Sequence, residues 1–360
     1  MEHKIALISD IHYGCRNNSE NYLSIIDNFF RVTLRKTIEE RNITDVRILG
    51  DLFDCRNNVN VRTMNTVLSM FRWYSQDLPH IKFKILLGNH DIYYKNRIDI
   101  NSIECLRSEP NIEIIDEITI EKINDKKIIT FPWIVEGSDI EARFKAYCNG
   151  SETFDVCFGH FEIRGFEITK GRLDEEGNEQ SKYSNFKRVF SGHYHIRSTK
   201  KHITYLGCPY QLTWNDYGDK KGIHIYEVNT GETEFVENTD SPSFHFIDIK
   251  DVIKNNKKEI SKFNGNFIKL VIDKKYKELE IMRAMTKAES LNPLKLDIEN
   301  RYIEEINDED SDLDISKSSD PLSFFTEYVN NIEIDDEEIE TKKLIAYVDE
   351  LYKYSLTDID

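Results

Sequence analysis

Five short fragments of the chain combine aspartate, asparagine or histidine with apolar runs that precede them. In chain order they are Asp10-Ile11-His12, Gly50-Asp51-Leu52-Phe53-Asp54, Gly88-Asn89-His90-Asp91, Gly159-His160 and Gly192-His193-Tyr194-His195. Manganese and magnesium prefer carboxylate oxygens, and imidazole suits metals of the first transition row. One such fragment alone is weak evidence, because a lone histidine or aspartate is more often structural. All five in this order predict a dinuclear metal centre that hydrolyses phosphate esters.

The residue types suggest how the ligands would be divided between two metal ions. The carboxylate of Asp51 has one oxygen for each ion, so it is the expected bridge. The neutral amide of Asn89 limits the negative charge that faces an anionic phosphate. His90 directly follows a ligand, so we expect it to point toward substrate and to protonate the leaving oxygen or stabilise the transition state. The other predicted ligands are Asp10, His12 and His195 for the first metal, and His160 and His193, with Asn89, for the second.

The apolar runs before these fragments predict the elements that position them. They are typical of parallel strands buried on both faces, and functional residues gather beyond the carboxyl ends of such strands. Because residues two apart share one side of an extended chain, His193 and His195 can face the same cluster. Apolar residues at helical spacing predict covering helices over residues 22–40 and 61–78. The strand-like runs are residues 4–10, 46–51, 83–89, 156–160 and 189–193.

At these residues the chain resembles the calcineurin-like metallophosphoesterases, and within them the SbcD-type DNA exonucleases, in particular those of T-even-like bacteriophages. The resemblance runs along most of the chain and includes residues 159–162, 170–171, 205–213, 221–222 and 233–235. It implies an α/β fold, an α+β sandwich of packed mixed sheets flanked by helices, with a small α/β capping domain and C-terminal helices. It carries the metal ligands onto the seven positions named above and the catalytic histidine onto His90.

Asp54 departs from the family pattern. Many members carry a histidine at this position. An aspartate acts as a protonated donor near neutral pH only when its pKa is strongly raised. We therefore do not expect Asp54 to act as a second catalytic histidine would; as a residue outside the ligand shell, it would orient a neighbouring side chain.

The net charge of −17 is unevenly distributed. Residues 301–360 contain 5 Lys/Arg and 19 Asp/Glu, a net charge of −14, whereas residues 1–300 contain 43 and 46, a net charge of −3. DNA affinity is therefore expected to come from the metals, from local basic clusters and from a partner. For any single basic residue, a solvated surface charge is the more common role. The candidate phosphate contacts are Arg56, Arg62, Lys95, Arg97, Lys182, Lys187 and Arg188.

The length and composition of the chain indicate several domains and segments. A chain of 360 residues is too long for one compact core. We predict a nuclease domain at 1–240, a DNA-presenting capping domain at 241–302, an acidic flexible linker at 303–320 and a helical partner-binding segment at 321–360. From the residues alone, 241–302 could equally be an unrelated α/β appendage. The apolar side of helix 61–78 is either core or, by resemblance, a homodimer interface.

The resemblance also implies partners and a compartment. Residues 321–360 have the amphipathic pattern of helices and would bind an SMC-like ATPase subunit (SbcC type). Such helices can also fold back on the body of the protein. The six cysteines have no Cys-x-x-Cys spacing and are typical of reduced thiols. No signal peptide or membrane-spanning stretch is evident, so we predict a cytoplasmic protein, in a bacterial host if phage-encoded.

The predicted function is a metal-dependent DNA nuclease of double-strand-break processing. The resemblance implies exonuclease activity from 3′ ends of duplexes and endonuclease activity on single strands, with two divalent ions, expected to be Mn²⁺, although the ligands also permit Mg²⁺. A phosphatase or small-molecule phosphodiesterase is an alternative. Protein phosphatases, however, typically read Gly-Asp-x-x-Asp-Arg-Gly, whereas this chain has Cys55 after Asp54. A non-catalytic scaffold for the ATPase is the other alternative, but a scaffold does not need His90.

Overall fold

A computed structural model describes residues 2–255 and 257–302 of the chain. Strands β1 to β9 are Lys4–Ile8, Asp45–Ile48, Lys82–Leu86, Ile112–Ile115, Thr119–Ile123, Lys126–Thr130, Phe154–His160, Glu167–Thr169 and Arg172–Leu173. Strands β10 to β17 are Phe186–Gly192, Ser198–Lys200, Ile203–Tyr205, Gly222–Glu227, Thr233–Glu237, Phe244–Asp248, Phe267–Ile272 and Lys295–Asn300. Helices α1 to α7 are Glu20–Asn28, Arg35–Glu40, Val61–Asp77, Asp139–Asn149, Ile249–Lys254, Lys257–Ile260 and Glu278–Glu289.

Two six-stranded mixed sheets form the body. The first has the order β14-β13-β1-β2-β3-β4, and the second has the order β11-β12-β10-β7-β6-β5. Strands β1 to β4 run parallel, as do β6, β7, β10 and β12. The carboxyl ends of the central strands of each sheet therefore lie at one edge. The strands that precede the predicted ligands are divided between the two sheets, three in the first and two in the second.

Alternation along the strands explains the packing of the layers. Ile5 and Leu7 of β1 join a core shared with Phe158 of β7 and Phe190 of β10, so this core lies between the sheets. Their neighbours Ala6 and Ile8 belong to a second core, which packs the first sheet against helices α1 and α3. A third core packs the second sheet against α4. The predicted sandwich of mixed sheets flanked by helices is confirmed.

The predicted helix over residues 22–40 consists of α1 and α2 joined by a π-helical segment, Phe29–Leu34. A π-turn inserts one residue into the helical repeat. Phe29 and Phe30, which are consecutive, are both fully buried there. Asn60 caps the N-terminus of helix α3, since its side chain accepts a hydrogen bond from Arg62 N at 2.9 Å. Most of its predicted apolar side is core, and the homodimer interface there remains a prediction.

Arg47 of β2 is a buried charge between the sheets. Its guanidinium lies 2.8 Å from Asp45 and 2.6 Å from Glu121 of β5, and over the ring of Phe158 at 4.8 Å. Burial opposes the charge of Asp45, but His3 and Arg47 outweigh it and lower the pKa of Asp45 to about 2. Removing either partner of such a pair would leave an uncompensated buried charge.

Residues 244–300 form a third sheet with a core of its own. Strands β15, β16 and β17 are parallel, and one face of the sheet packs on α5 and α7. On the other face, Phe244 and Phe267 stack at 4.6 Å and join the core of the body. The boundary between a nuclease domain and a capping domain remains a prediction. Residues 303–360, with the predicted linker and partner-binding segment, lie outside the described residues.

The polar segment between β7 and β10 contains a short hairpin, β8 and β9, and a 3₁₀-helix at Gln180–Tyr183. Asp174 anchors it, because its carboxylate accepts hydrogen bonds from Tyr194 Oη and from the backbone N–H of Glu176 and Gly177. The remaining 3₁₀-helices are Ser102–Leu106, Trp214–Asp216 and Ser261–Phe263. Among the described residues, no helix is long and apolar enough to cross a membrane.

The buried His224 of β13 should make the free energy of unfolding depend on pH. Burial, with the charge of Arg197, outweighs a backbone contact with Leu206 and lowers the pKa of His224 from 6.5 to about 4. Between pH 4 and pH 6.5 the unfolded chain binds a proton at His224 and the folded chain does not. The free energy of unfolding is therefore highest above pH 6.5 and falls as the pH decreases toward 4. His224→Leu should therefore gain about 2 kcal/mol relative to the parent at pH 5 and almost nothing at pH 7. Urea unfolding at both pH values measures this, and equal differences at the two pH values would contradict it.

Candidate metal centre

The loops that follow β1, β2 and β3 converge with the ends of β7 and β10. The first two loops continue the parallel pairing beyond their strands, since Asp10 N donates to Gly50 O at 3.2 Å and His12 N donates to Asp51 O at 3.1 Å. From the second sheet, His193 N donates to Asp10 Oδ1 at 3.0 Å. The seven predicted ligands are thereby brought together from two sheets.

Asp10, His12 and His195 form one group of possible ligands, whose ligand atoms all lie within 4.8 Å of one another. The Nε2 atoms of His12 and His195 are 3.0 Å apart. Asp10 and His12 are almost fully buried, and His195 is half-buried. Two imidazole nitrogens at this distance point to a common centre.

A second group consists of Asp51, His160 and His193. Asn89 belongs with it, because its Oδ1 lies 3.0 Å from His160 Nε2 and 2.9 Å from His193 Nδ1. Asp51 Oδ2 is 3.3 Å from His160 Nε2 and 3.9 Å from His12 Nε2. The carboxylate of Asp51 thus lies between the two groups, where a bridging ligand is required.

The far nitrogens of three histidines face oxygen atoms. His160 Nδ1 donates to the carbonyl of Leu49 at 2.7 Å, and His193 Nε2 lies 3.4 Å from Glu162 Oε1. His12 Nδ1 lies 3.2 Å from Asp54 Oδ1, an ion-pair contact without the alignment of a full hydrogen bond. Such contacts place the proton on the far nitrogen and leave the lone pair of the near nitrogen facing the cluster.

This donor set fits divalent cations. With its proton on Nδ1, neutral His160 turns the lone pair of Nε2 toward Asn89 Oδ1, so positive charge between these two atoms, from a proton or a metal ion, would be held by both. Burial lowers the pKa of His160, but the carboxylate of Asp51 outweighs it and raises the pKa to about 9. His160 in turn keeps the pKa of the buried Asp51 carboxyl well below its usual range. The cluster therefore attracts cations, and two divalent ions held by these residues would supply that charge.

Backbone strain is concentrated at the candidate ligands. Asp10, His12, Asp51 and His193 have φ angles of 55°, 53°, 53° and 97°. These angles lie in the left-handed region, which costs a non-glycine residue on the order of 1 kcal/mol or more and is found mainly at functional sites. Four of the seven candidate ligands share this conformation, so the rest of the fold must stabilise it.

Glycine is required where the loops pack most closely. A Cβ on Gly88 would lie 2.2 Å from Asp51 Oδ1 and 2.3 Å from its backbone nitrogen. A Cβ on Gly50, which has a φ of 88°, would lie 2.4 Å from His160 Nδ1. Gly88 therefore lets the loop after β3 approach the loop after β2, and Gly50 lets the loop after β2 approach the end of β7.

His90 and Asp54 lie beside the first group. His90 Nδ1 donates to the main-chain carbonyl of Asp54 at 2.6 Å, and its ring lies edge-on to His12, with 5.1 Å between centroids. The Asp54 side chain faces His12, as the contact above describes. Asp54 thus contacts His12 through its side chain and His90 through its main-chain carbonyl.

Sequence reasoning missed three further residues of the site. Asp91 ties two loops together, since its carboxylate accepts from Gly88 N at 2.9 Å and Phe53 N at 3.0 Å. Burial and the charge of Asp51 raise the pKa of Asp91 to about 7. Glu162 faces His193, and the Trp133 ring lies 5.4 Å from that of His193. Asp91 and Glu162 stand in the Gly88-Asn89-His90-Asp91 and Gly159-His160-Phe161-Glu162 strings, but nothing in the sequence distinguishes their roles.

The predicted phosphate contacts are only partly brought to the site. Arg56 lies two residues beyond Asp54, and Lys95 and Arg97 occupy the loop after His90. Lys182 lines a cavity of about 340 Å³ that also contacts His160 and Trp133.

Three of these basic side chains point to other partners. Lys187 and Arg188 lie at the start of β10, the end away from His193, and contact Asp155 at 2.8 Å and Thr233 at 3.1 Å. Arg62 pairs with Glu20 on helix α1. Their positions follow from strand direction and helix packing, which charge in the sequence does not reveal.

A family model described as calcineurin-like phosphoesterase matches residues 3–197. The chain belongs to this family. Exonuclease subunit 1 of Enterobacteria phage T4 is 28% identical over 288 residues, which cover 74% of this chain and 82% of that protein. Both the predicted resemblance and the prediction of a phosphoester hydrolase are confirmed.

Solved structures of two phosphoesterases are also similar. One is an archaeal phosphodiesterase with 14% identity and a TM-score of 0.33, covering 65% of this chain and 99% of the other. The second is a dimetal phosphatase from Danio rerio with 14% identity and a TM-score of 0.40, covering 63% of this chain and 92% of the other.

The contact between Asp54 and His12 predicts an effect on metal affinity. Asp54→Ala removes the carboxylate that faces His12 Nδ1, so it should weaken Mn²⁺ binding by about tenfold if this contact holds the ring in place. Asp54→Asn keeps an acceptor oxygen and should retain most of the affinity. Calorimetric titration of Mn²⁺ into protein freed of metal by EDTA measures both variants. Unchanged affinity in Asp54→Ala would show that the contact does not position His12.

Proposed function

We propose that this chain is a metal-dependent DNA nuclease, with duplex exonuclease activity from 3′ ends and endonuclease activity on single strands. The observation that carries the proposal is the position of Asp51 between two groups of ligands, with His90 beside them. The similarity to a phage exonuclease subunit over 74% of the chain supports DNA as the substrate.

Different residues of the site would hold the metal ions and donate a proton during hydrolysis. Two divalent cations, proposed to be Mn²⁺, with Mg²⁺ permitted by the ligands, would activate water and neutralise charge on the phosphate. Asp51, Asn89 and the four predicted histidine ligands would hold them together with Asp10. His90 donates its Nδ1 proton to Asp54 O, which leaves Nε2 as the ring nitrogen that would face substrate. In the imidazolium form both ring nitrogens carry a proton, and the Nε2 proton would pass to the departing sugar oxygen while the Nδ1–H remains on Asp54 O.

A nuclease assay tests the proposal. Purified full-length chain with Mn²⁺ should degrade end-labelled duplex DNA. His90→Ala should lower the rate by at least about a hundredfold, because general acid catalysis contributes on that order. Asp51→Ala should abolish both the activity and the binding of one of the two ions. Products resolved on a sequencing gel give the rate and the end from which cutting proceeds.

The controls separate this proposal from its alternatives. Bis-p-nitrophenyl phosphate reports phosphodiester hydrolysis without DNA recognition. Hydrolysis of this ester with no cutting of DNA, alone or with the ATPase, would favour a small-molecule phosphodiesterase. Absence of activity on both substrates, despite bound metal, would favour a non-catalytic scaffold. Activity that persists in His90→Ala would leave the nuclease in place and remove His90 from the mechanism.

The proposal includes partners and a setting. We place the chain in double-strand-break processing and recombination in the cytoplasm, as a homodimer bound through residues 321–360 to an SMC-like ATPase. The amphipathic pattern of that segment, with Leu344 and Leu351 on its apolar side, supports this assignment.

A single substitution in the partner-binding segment tests the ATPase contact. Leu344→Asp places a charge on the apolar side and should abolish co-elution with the ATPase in gel filtration, because the apolar contact is lost. Lys343→Ala, its sequence neighbour, should co-elute as the parent does. Co-elution of Leu344→Asp would place the contact elsewhere in the chain.

A further inference from the structure

The chain directly after His90 forms a closed loop. Asp91 and Ile92 are fully buried, and Asp91 O accepts from Ser102 N at 2.8 Å. Tyr93 N donates to Ile100 O at 2.9 Å, next to a β-bridge between Ile92 and Asn101. Residues 93–100 are thus held at their base and extend from the site as one unit, here called the tyrosine loop.

The tyrosine loop exposes apolar rings. Tyr93 and Tyr94 are 45% and 39% exposed, and Ile100 is 47% exposed. The two tyrosine rings meet edge to face, with 4.8 Å between centroids. Large apolar side chains scattered singly on a surface are ordinary, but three lie within this eight-residue loop, and two of them are in contact through their rings.

Cations accompany these rings. The Arg97 guanidinium lies 4.2 Å over the ring of Tyr94, and Lys95 is exposed between them in the sequence. Asp99 pairs with Arg97 at 3.1 Å, so the exposed side chains of the loop carry a net charge near +1. Aromatic faces beside Arg and Lys are the combination that binds single-stranded nucleic acid, in which bases stack and phosphates contact cations.

Chain connectivity limits the distance from these rings to the candidate catalytic residue. Tyr93 and Tyr94 follow His90 by three and four residues, and an extended chain spans at most about 3.6 Å per residue. Their Cα atoms therefore lie within about 11 and 14 Å of the Cα of His90. That distance corresponds to a few nucleotides, so the loop can reach bases close to the reacting phosphate.

We propose that Tyr93 and Tyr94 stack unpaired nucleobases of the strand whose phosphate lies at His90, while Lys95 and Arg97 contact its backbone. This inference rests on the proposed function and specifies the form of its substrate as DNA with unpaired bases next to the cut. Duplex ends would then be bound with one or two terminal pairs opened.

Binding of two oligonucleotides tests stacking directly. One is a fluorescent single strand, and the other is the same strand with abasic residues in place of every nucleotide. Anisotropy titration of the full-length chain in EDTA prevents cutting. The parent should bind the normal strand at least about fivefold more tightly than the abasic one, since each stacked base contributes on the order of 1 kcal/mol. The double variant Tyr93→Ala/Tyr94→Ala should lose this preference, and Tyr93→Phe/Tyr94→Phe should keep it.

Each other outcome would overturn the inference. An alanine variant that keeps the preference would show that the loop does not contact bases. A phenylalanine variant as poor as the alanine one would assign the effect to the hydroxyl groups rather than to the ring faces. A change of oligomeric state in light scattering, with the preference intact, would make the loop a contact between copies of the chain. A parent that cuts DNA without preferring normal strands refutes the stacking alone, whereas a parent that hydrolyses only bis-p-nitrophenyl phosphate refutes the nuclease as well.

Discussion

The buried carboxylate of Asp51 is the contact around which the candidate site is assembled. It accepts a hydrogen bond from His90 N at 2.8 Å, faces His160 of the second sheet and lies next to the Cα of Gly88. A buried carboxylate is costly unless nearby positive charge or hydrogen-bond donors compensate it. The surrounding loops are therefore shaped to bring those groups to Asp51, at the cost of left-handed backbone at several ligands.

The sequence predicts that the candidate ligands lie close together because the signal is local. Each predicted ligand lies at or directly after the end of an apolar strand-like run, as Asp10 does after β1 and Asp51 after β2. Parallel strands bring their carboxyl ends to one edge, so these positions in the chain become positions in space. The predicted helices are present for the same reason, although the π-helical segment between α1 and α2 was not foreseen.

Other features could not be predicted because they depend on contacts between distant segments. Residues before Asp51 and before His160 look alike as strands, yet they belong to different sheets. Glu162 becomes a partner of His193 only because β7 and β10 are neighbours. Lys187 and Arg188 precede the ligands in sequence by only a few residues, yet a strand rising about 3.3 Å per residue carries them to its other end.

The division of the ligands between two sheets has a kinetic consequence. Asp10, His12, Asp51 and Asn89 follow strands of the first sheet, and His160, His193 and His195 come from the second. Ions bound to all of them would tie the layers together at one edge, and only after the layers have docked. Interactions formed after the folding transition state slow unfolding without accelerating folding. Bound metals would therefore slow unfolding and lengthen the lifetime of the native protein, without making folding faster.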